Sequence, residues 1–321
     1  MNNQEKTSRK VTIVGAGDVG ATFAYALAQD GVAEEICLVD LNRDLLAGQV
    51  LDLSHGLPYY PPIRIREGTV KDYADAEVIV ITAGAAQRPG ESRLDLLHRN
   101  AGIIRGIMDD IQEQGSEAVV VMVTNPVDVL TYVALQHSGW PRERILGSGT
   151  VLDSARFRYL ISRTLGVGVH NVHAYILGEH GDSEFPAWSL TNIGGVPVDY
   201  YSQTNYEGDD WHKRREEIVE QVRNSAYHII GYKGSTNFAV GLALTRIVGS
   251  VLRNQASVLT VSTRLEGEYG YEGLCISVPC LVDDKGVDKI LLAELTPQEQ
   301  ESMAHSVKVL KQSIADLEKK G

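Results

Sequence analysis

Val11-Thr12-Ile13-Val14-Gly15-Ala16-Gly17-Asp18-Val19-Gly20 is the stretch that decides the fold of this chain. A short β-branched run reads as a buried strand, and it passes through a Gly-x-Gly-x-x-Gly turn into a segment predicted to be helical. In that context Gly15 permits the tight turn, Gly17 lets the backbone approach a pyrophosphate, and Gly20 allows the helix to pack close to the strand. The helix N-terminus then faces the phosphates with unpaired N–H groups. A plain glycine turn would use the same residues, and Asp40 separates the two readings. It ends the second predicted strand 20 residues after Gly20, where a carboxylate accepts hydrogen bonds from ribose hydroxyls and repels a 2′-phosphate. NAD is therefore expected rather than NADP, with Arg43 the nearby residue that keeps NADP in view.

Working outward, Ile36–Val39, Val78–Ile81 and residues 119–123 are near-continuous apolar runs, as expected of strands buried on both faces of a parallel sheet. Arg64-Ile65-Arg66 supplies a weaker third strand and Arg144-Ile145-Leu146-Gly147 the last. The predicted fold class is α/β: a Rossmann doubly wound parallel sheet that binds NAD, followed by a C-terminal α+β substrate domain. The expected divisions are a flexible extension at 1–10, a dinucleotide-binding domain at 11–148 and a substrate domain at 149–321. In the second half, Ser154–Leu165 and Lys213–Ile230 read as helices, and Leu274, Ile276 and Val278 alternate with Cys275 and Ser277 as in a half-buried antiparallel strand. Thr296-Pro297 opens a final helix with Met303, Val307, Leu310, Ile314 and Leu317 on one face.

Composition removes several function classes. The 321 residues carry 30 basic and 42 acidic side chains, net charge −12, without a basic stripe, which argues against a nucleic-acid or anionic-membrane partner. An anionic substrate must be drawn in by local arginines. The three cysteines, Cys37, Cys275 and Cys280, have no metal or redox spacing, so no metal site is expected and reduced, buried thiols are. The polar first ten residues and the lack of an apolar run of ~18 residues point to a cytoplasmic protein.

The chemistry gathers in a few places. Gly178-Glu179-His180-Gly181-Asp182-Ser183 holds a histidine between glycines, and an imidazole titrating near neutrality can give a proton to a carbonyl or take one from a hydroxyl. Asp153 and Arg156 lie three residues apart on one helix, hence on one face. They suit an intrahelical ion pair, or a carboxylate orienting His180 beside a planar fork for a substrate carboxylate. Thr82-Ala83-Gly84-Ala85 and Thr124-Asn125-Pro126 end the fourth and fifth strands on the carboxyl edge where such sheets bind ligands. Gly84, Ala85, Thr124 and Asn125 should line the nicotinamide half of the cofactor.

Together with the run Ala83–Arg93, residues 124–128, residues 153–156 and residues 178–183, the chain resembles bacterial-type L-lactate dehydrogenases of the lactate/malate dehydrogenase family over nearly its whole length after the first ten residues. The resemblance implies reversible hydride transfer between NADH and pyruvate, giving (S)-lactate, with His180 as acid/base and Asp153 orienting it. It implies that Arg156 binds the substrate carboxylate, that Arg93 polarises the carbonyl from a mobile loop, and that Asn125 and Thr236 complete the pocket. Val19 and Ser148 join the candidate cofactor contacts. Gln87 takes the family's discriminating position; its neutral amide leaves one cation for one carboxylate, so pyruvate is expected over oxaloacetate, with malate or another 2-hydroxy acid as the alternative and a silent NAD-binding protein as a remote one. Arg158, which should point to the outer surface of its lobe, and His173 match positions that bind fructose 1,6-bisphosphate in allosteric members, and a homotetramer is implied in the same way.

Overall fold

The computed structural model of the protein describes residues 9–86, 90–208 and 210–319. Strands β1 (Lys10–Val14), β2 (Glu35–Val39), β3 (Arg64–Glu67), β4 (Val78–Ile81), β5 (Val119–Met122) and β6 (Ile145–Gly147) run parallel in the order β3-β2-β1-β4-β5-β6. Helices α1 (Asp18–Asp30), α2 (Arg43–His55), α3 (Arg93–Glu113) and α4 (Val127–Ser138) connect them. This is the doubly wound arrangement expected from the glycine turn, and the strand order reverses between β1 and β4, where a crevice opens at the carboxyl edge. Every residue of β1, β4 and β5 is buried, because helices cover both faces. The strand begins at Lys10, whose ammonium is buried and ion-paired with Asp72 and Asp75, so this residue belongs to the folded body rather than to an extension.

Beyond β6 come α5 (Val151–Leu165), the two-residue strands β7 (Val172–His173), β8 (Ile176–Leu177), β9 (Phe185–Pro186), β10 (Asn192–Ile193) and β11 (Val196–Pro197), then α6 (Val198–Asn205), α7 (Trp211–Lys233) and α8 (Phe238–Leu252). Three long antiparallel strands follow, β12 (Ser257–Glu266), β13 (Glu272–Asp283) and β14 (Gly286–Ile290), and α9 (Pro297–Glu318) closes the described chain. β12 pairs with β6 at Ser262 and Gly147, so a nine-stranded sheet crosses from the first half of the chain into the second.

The expectation of a half-buried strand over Leu274–Val278 is corrected. Cys275 and Ser277 are as buried as Leu274, Ile276 and Val278, because α4, α8 and α9 all pack on β13 and neither of its faces is left to water. Alternation of small and large residues there records two packed faces. α9 has the expected form: Thr296 and Glu299 make a reciprocal capping box, Pro297 occupies the first turn, and Met303, Val307, Leu310, Ile314 and Leu317 are buried. Removing such aliphatic side chains from water is worth roughly 1.5–3 kcal/mol each. α8 lies against α1, where a Cβ on Gly241 would stand 3.1 Å from the Thr22 carbonyl oxygen, and this close approach brings the residues just before α8 to the mouth of the crevice.

Candidate active site

The glycine turn is built for close approach at one position and for packing at the others. Gly15 has φ 105°, and a Cβ there would stand 2.7 Å from the Ala83 nitrogen. A Cβ on Gly20 would sit 1.9 Å from the Gly15 carbonyl oxygen, whereas around Gly17 there is nothing within 4 Å. Gly17 caps α1 without a side-chain hydrogen bond, so the first-turn N–H groups face open space. That is the cradle a pyrophosphate needs. At the end of β2 the Asp40 carboxylate accepts the Ala16 N–H at 2.7 Å and the Asn42 N–H at 2.8 Å, which fixes its position beside the turn. The residues present therefore fit a dinucleotide.

Along the same edge, Thr124 Oγ1 donates to the Ala83 carbonyl at 2.7 Å, and the Thr124 methyl closes over Gly84, where a Cβ would lie 2.4 Å away. Asn100, a buried polar residue of α3, accepts the Ala85 N–H at 2.8 Å and reaches toward the Asn125 carbonyl at 3.4 Å. It ties the ends of two strands together. Sequence reasoning missed it, although an asparagine among Leu97, Ala101 and Ile104 on one helical face carries a readable signal.

Several of the candidate site residues converge on a cavity of about 180 Å³ lined by Val19, Asn125, Ser148, Arg156, His180 and Thr236, among others. Asp153, buried in the first turn of α5, bridges two of the groups there: one oxygen accepts from His180 Nδ1 at 2.7 Å and the other from Arg156 Nη1 at 2.7 Å. The intrahelical ion pair and the carboxylate–histidine bond are thus both present in one geometry. With Asp153 ionised, Nδ1 must carry a proton as donor, leaving Nε2 as the other proton-bearing nitrogen. Burial disfavours the imidazolium, but the charge and hydrogen bond of Asp153 outweigh it and lift His180 to about 9. Burial acts against the Asp153 anion too, and His180 and Arg156 together hold it below the ordinary carboxylate range.

The histidine loop is anchored from three sides. Gly178, at φ 98°, exchanges two 3.0 Å backbone bonds with Ser277 of β13. Ser306 of α9 accepts the Glu179 N–H at 3.1 Å and donates to the Ser183 carbonyl at 2.6 Å. Asp128, fully buried in the first turn of α4, accepts the His180 backbone N–H at 2.7 Å. Burial pushes Asp128 up to about 6. Sequence reasoning quoted Asp128 within a motif and gave it no role, and it passed over Glu184, which lies buried beside the histidine. Nothing in a sequence marks a glutamate that folding will bury.

Other predicted residues stand apart from the cavity. Arg93 is the first residue of α3, capped by Ser92, and is exposed rather than among the residues lining the cavity. Gln87 lies outside the described residues. Arg158 is half-buried and does not line the His180 cavity: its Nε donates to the Ala174 carbonyl at 2.9 Å and its guanidinium lies over the Tyr175 ring. With Arg246 it lines a second cavity of about 330 Å³. His173 is exposed on β7. Cys37, Cys275 and Cys280 are free and buried, and no described helix is long and apolar enough to cross a membrane.

Comparison with known proteins bears on this geometry. Residues 9–147 match the model of the lactate/malate dehydrogenase NAD-binding domain, and residues 150–320 that of the family's alpha/beta C-terminal domain. The chain is 53% identical to an L-lactate dehydrogenase of Treponema denticola over 313 residues, 98% of this chain and 99% of that one. It is 46% identical to an L-lactate dehydrogenase of Acetivibrio thermocellus over 316 residues, again 98% and 99%. Among solved structures, the ligand-bound minor L-lactate dehydrogenase of Enterococcus mundtii superposes with a TM-score of 0.93 at 42% identity, covering 97% of this chain and 98% of that one. A glycine cradle fitted to NAD, a histidine paired with a buried aspartate, and likeness along the whole chain lead to one conclusion: this is an NAD-dependent oxidoreductase belonging to the lactate/malate dehydrogenase family.

Proposed function

We propose that the protein interconverts pyruvate and (S)-lactate with NADH and NAD⁺, and that His180, Asp153, Arg156 and Arg93 carry the reaction. The observation that carries this reading is the Asp153 carboxylate held at 2.7 Å from both His180 and Arg156. Bound NADH supplies the hydride. As it arrives, negative charge grows on the carbonyl oxygen of a 2-keto acid, and protonated His180 stabilises that charge and gives up its Nε2 proton. Arg156 presents a planar fork to the substrate carboxylate, and its bond to Asp153 limits the positions it can take. Asn125 and Thr236 complete the pocket, and Arg93, at the start of α3, polarises the carbonyl. Val19, Ser148, Gly84, Ala85 and Thr124 would hold the cofactor, with Asp40 placed to accept from the adenosine ribose hydroxyls.

Pyruvate is the proposed substrate because the relatives are L-lactate dehydrogenases and because Gln87 brings no second cation to the site. Steady-state rates of NADH oxidation with pyruvate, oxaloacetate and a branched 2-keto acid test this, together with Gln87→Arg, which should move the kcat/KM ratio toward oxaloacetate by about three orders of magnitude. A wild-type enzyme that prefers oxaloacetate, or a ratio that does not move in the variant, overturns it.

The same reading extends to regulation by fructose 1,6-bisphosphate at Arg158 and His173, in a homotetramer. Its support is local: Arg158 grips the Ala174 carbonyl next to His173, and it rides on the helix that carries Asp153 and Arg156, so an anion drawing on it acts on the substrate clamp. The three buried free thiols support a reducing, cytoplasmic setting.

A further inference from the structure

Glu184 is buried within the fold four residues beyond His180, with 4% of its surface exposed. A carboxylate oxygen of Glu184, one of Asp153 and a ring nitrogen of His180 all lie within 4.8 Å of one another. Among the described residues, the hydrogen bonds to Glu184 reach its backbone carbonyl, from Arg223 of α7 at 2.7 and 3.3 Å, and none reaches its carboxyl group. The imidazole therefore has two carboxyl groups close together beside it, one that bonds it and one that does not. We propose that Glu184 is a positioning residue for the proton on His180: its buried carboxyl group stands with that of Asp153 beside the ring and helps Asp153 retain the imidazolium. The proposal rests on His180 being the proton donor.

The charges around Glu184 can be named from each side. Asp153 and Arg156 face it from α5, His180 from its own loop and Arg223 from α7, while His180 also feels Asp128 from α4. From α9, Glu299 is engaged with Ser189 and Thr296, and His305 lines an open outer hollow beside Arg223. Burial and the neighbouring Asp153 anion push Glu184 up to about 8, against His180 and the two arginines. Two groups that close share their protons, so the alkaline limb of the reaction belongs to the pair. While Glu184 is neutral, Asp153 and, to a lesser extent, Asp128 supply the negative charge near the imidazolium; once Glu184 ionises, a further anion makes loss of the imidazolium proton harder, and the limb is displaced to higher pH.

The test compares wild type with Glu184→Gln, which keeps the shape and removes the ionisation. The pH dependence of kcat/KM for pyruvate reduction is normalised to each enzyme's own plateau, and the His180 ring is titrated directly by NMR in both. The expected result is an alkaline limb, and an imidazole titration, displaced toward acid by about one pH unit in the variant, a roughly tenfold loss at fixed alkaline pH. Glu184→Asp, which keeps the acid, should restore part of that displacement. Superimposable normalised profiles with unchanged imidazole titration overturn the role of Glu184 while leaving His180 as donor. A wild-type alkaline limb that does not coincide with the imidazole titration overturns the donor reading itself, so the two failures are distinguishable.

Discussion

Replacing Asp153 by asparagine removes the charge that holds the proton on His180 while nearly preserving shape. In the wild type the imidazole titrates at about 9, against an ordinary value of 6.5. Burial opposes the imidazolium, so without the anion the group should fall at least to its ordinary value. At about pH 7.5 that takes the protonated fraction from roughly 97% to roughly 10%, a tenfold loss of pyruvate reduction from protonation alone, and at about pH 8.5 the loss approaches 75-fold. Two further effects add to it at every pH. The amide can donate to Nδ1 and so favour the wrong tautomer, and Arg156 loses the partner that fixes its fork. Initial rates of NADH oxidation, measured at half-unit steps from about pH 5.5 to about pH 9.5 under saturating cofactor, give kcat/KM profiles for both enzymes. An alkaline limb at the same pH in both would refute the assignment of Asp153, even if the variant were slower.

Three other outcomes follow from distances already described. Gly17→Ala places its methyl in open space, so thermal stability should hold while the KM for NADH rises severalfold; Gly20→Ala drives a Cβ into the Gly15 carbonyl and should lower stability by about 1–3 kcal/mol in urea unfolding. Asn100→Ala leaves the Ala85 N–H without its acceptor, at a cost of about 1–3 kcal/mol, and should weaken NADH binding more than pyruvate binding. Arg158→Gln should abolish any lowering of the pyruvate KM by millimolar fructose 1,6-bisphosphate while leaving saturated turnover nearly intact; calorimetry showing equal effector binding by the variant would remove Arg158 from that role.

The parallel sheet was legible because its strands are buried on both faces and write uninterrupted apolar runs, and because the glycine turn admits few alternatives. The pairing of Asp153 with His180 was legible in part: the offset to Arg156 fixes a shared helix face, but only folding places that face against a loop 27 residues away. β13 misled because period-two alternation looks the same when small residues pack on a second layer as when they meet water. For Arg158 helical geometry gives a direction and says nothing of what waits there, in this case the Ala174 carbonyl and the Tyr175 ring. Glu184 and Asp128 were illegible as site residues for a common reason. Their effect on His180 depends on burial, which comes from helices far along the chain.

The pairing of β6 with β12 has a consequence for the chain as a folding object. A cut at about residue 148, where the change of sequence pattern invites one, would not release two self-sufficient fragments. The first would end on β6 with a naked hydrogen-bonding edge, and the second would carry the matching edge on β12, each flanked by buried apolar side chains. Exposed edges of that kind pair with whatever strand they meet, so the fragments should aggregate when made alone and recover solubility when made together. The same seam sets the order of events on the ribosome: β6 emerges more than a hundred residues before β12, and until β12 arrives the leading half carries an open strand that must be shielded.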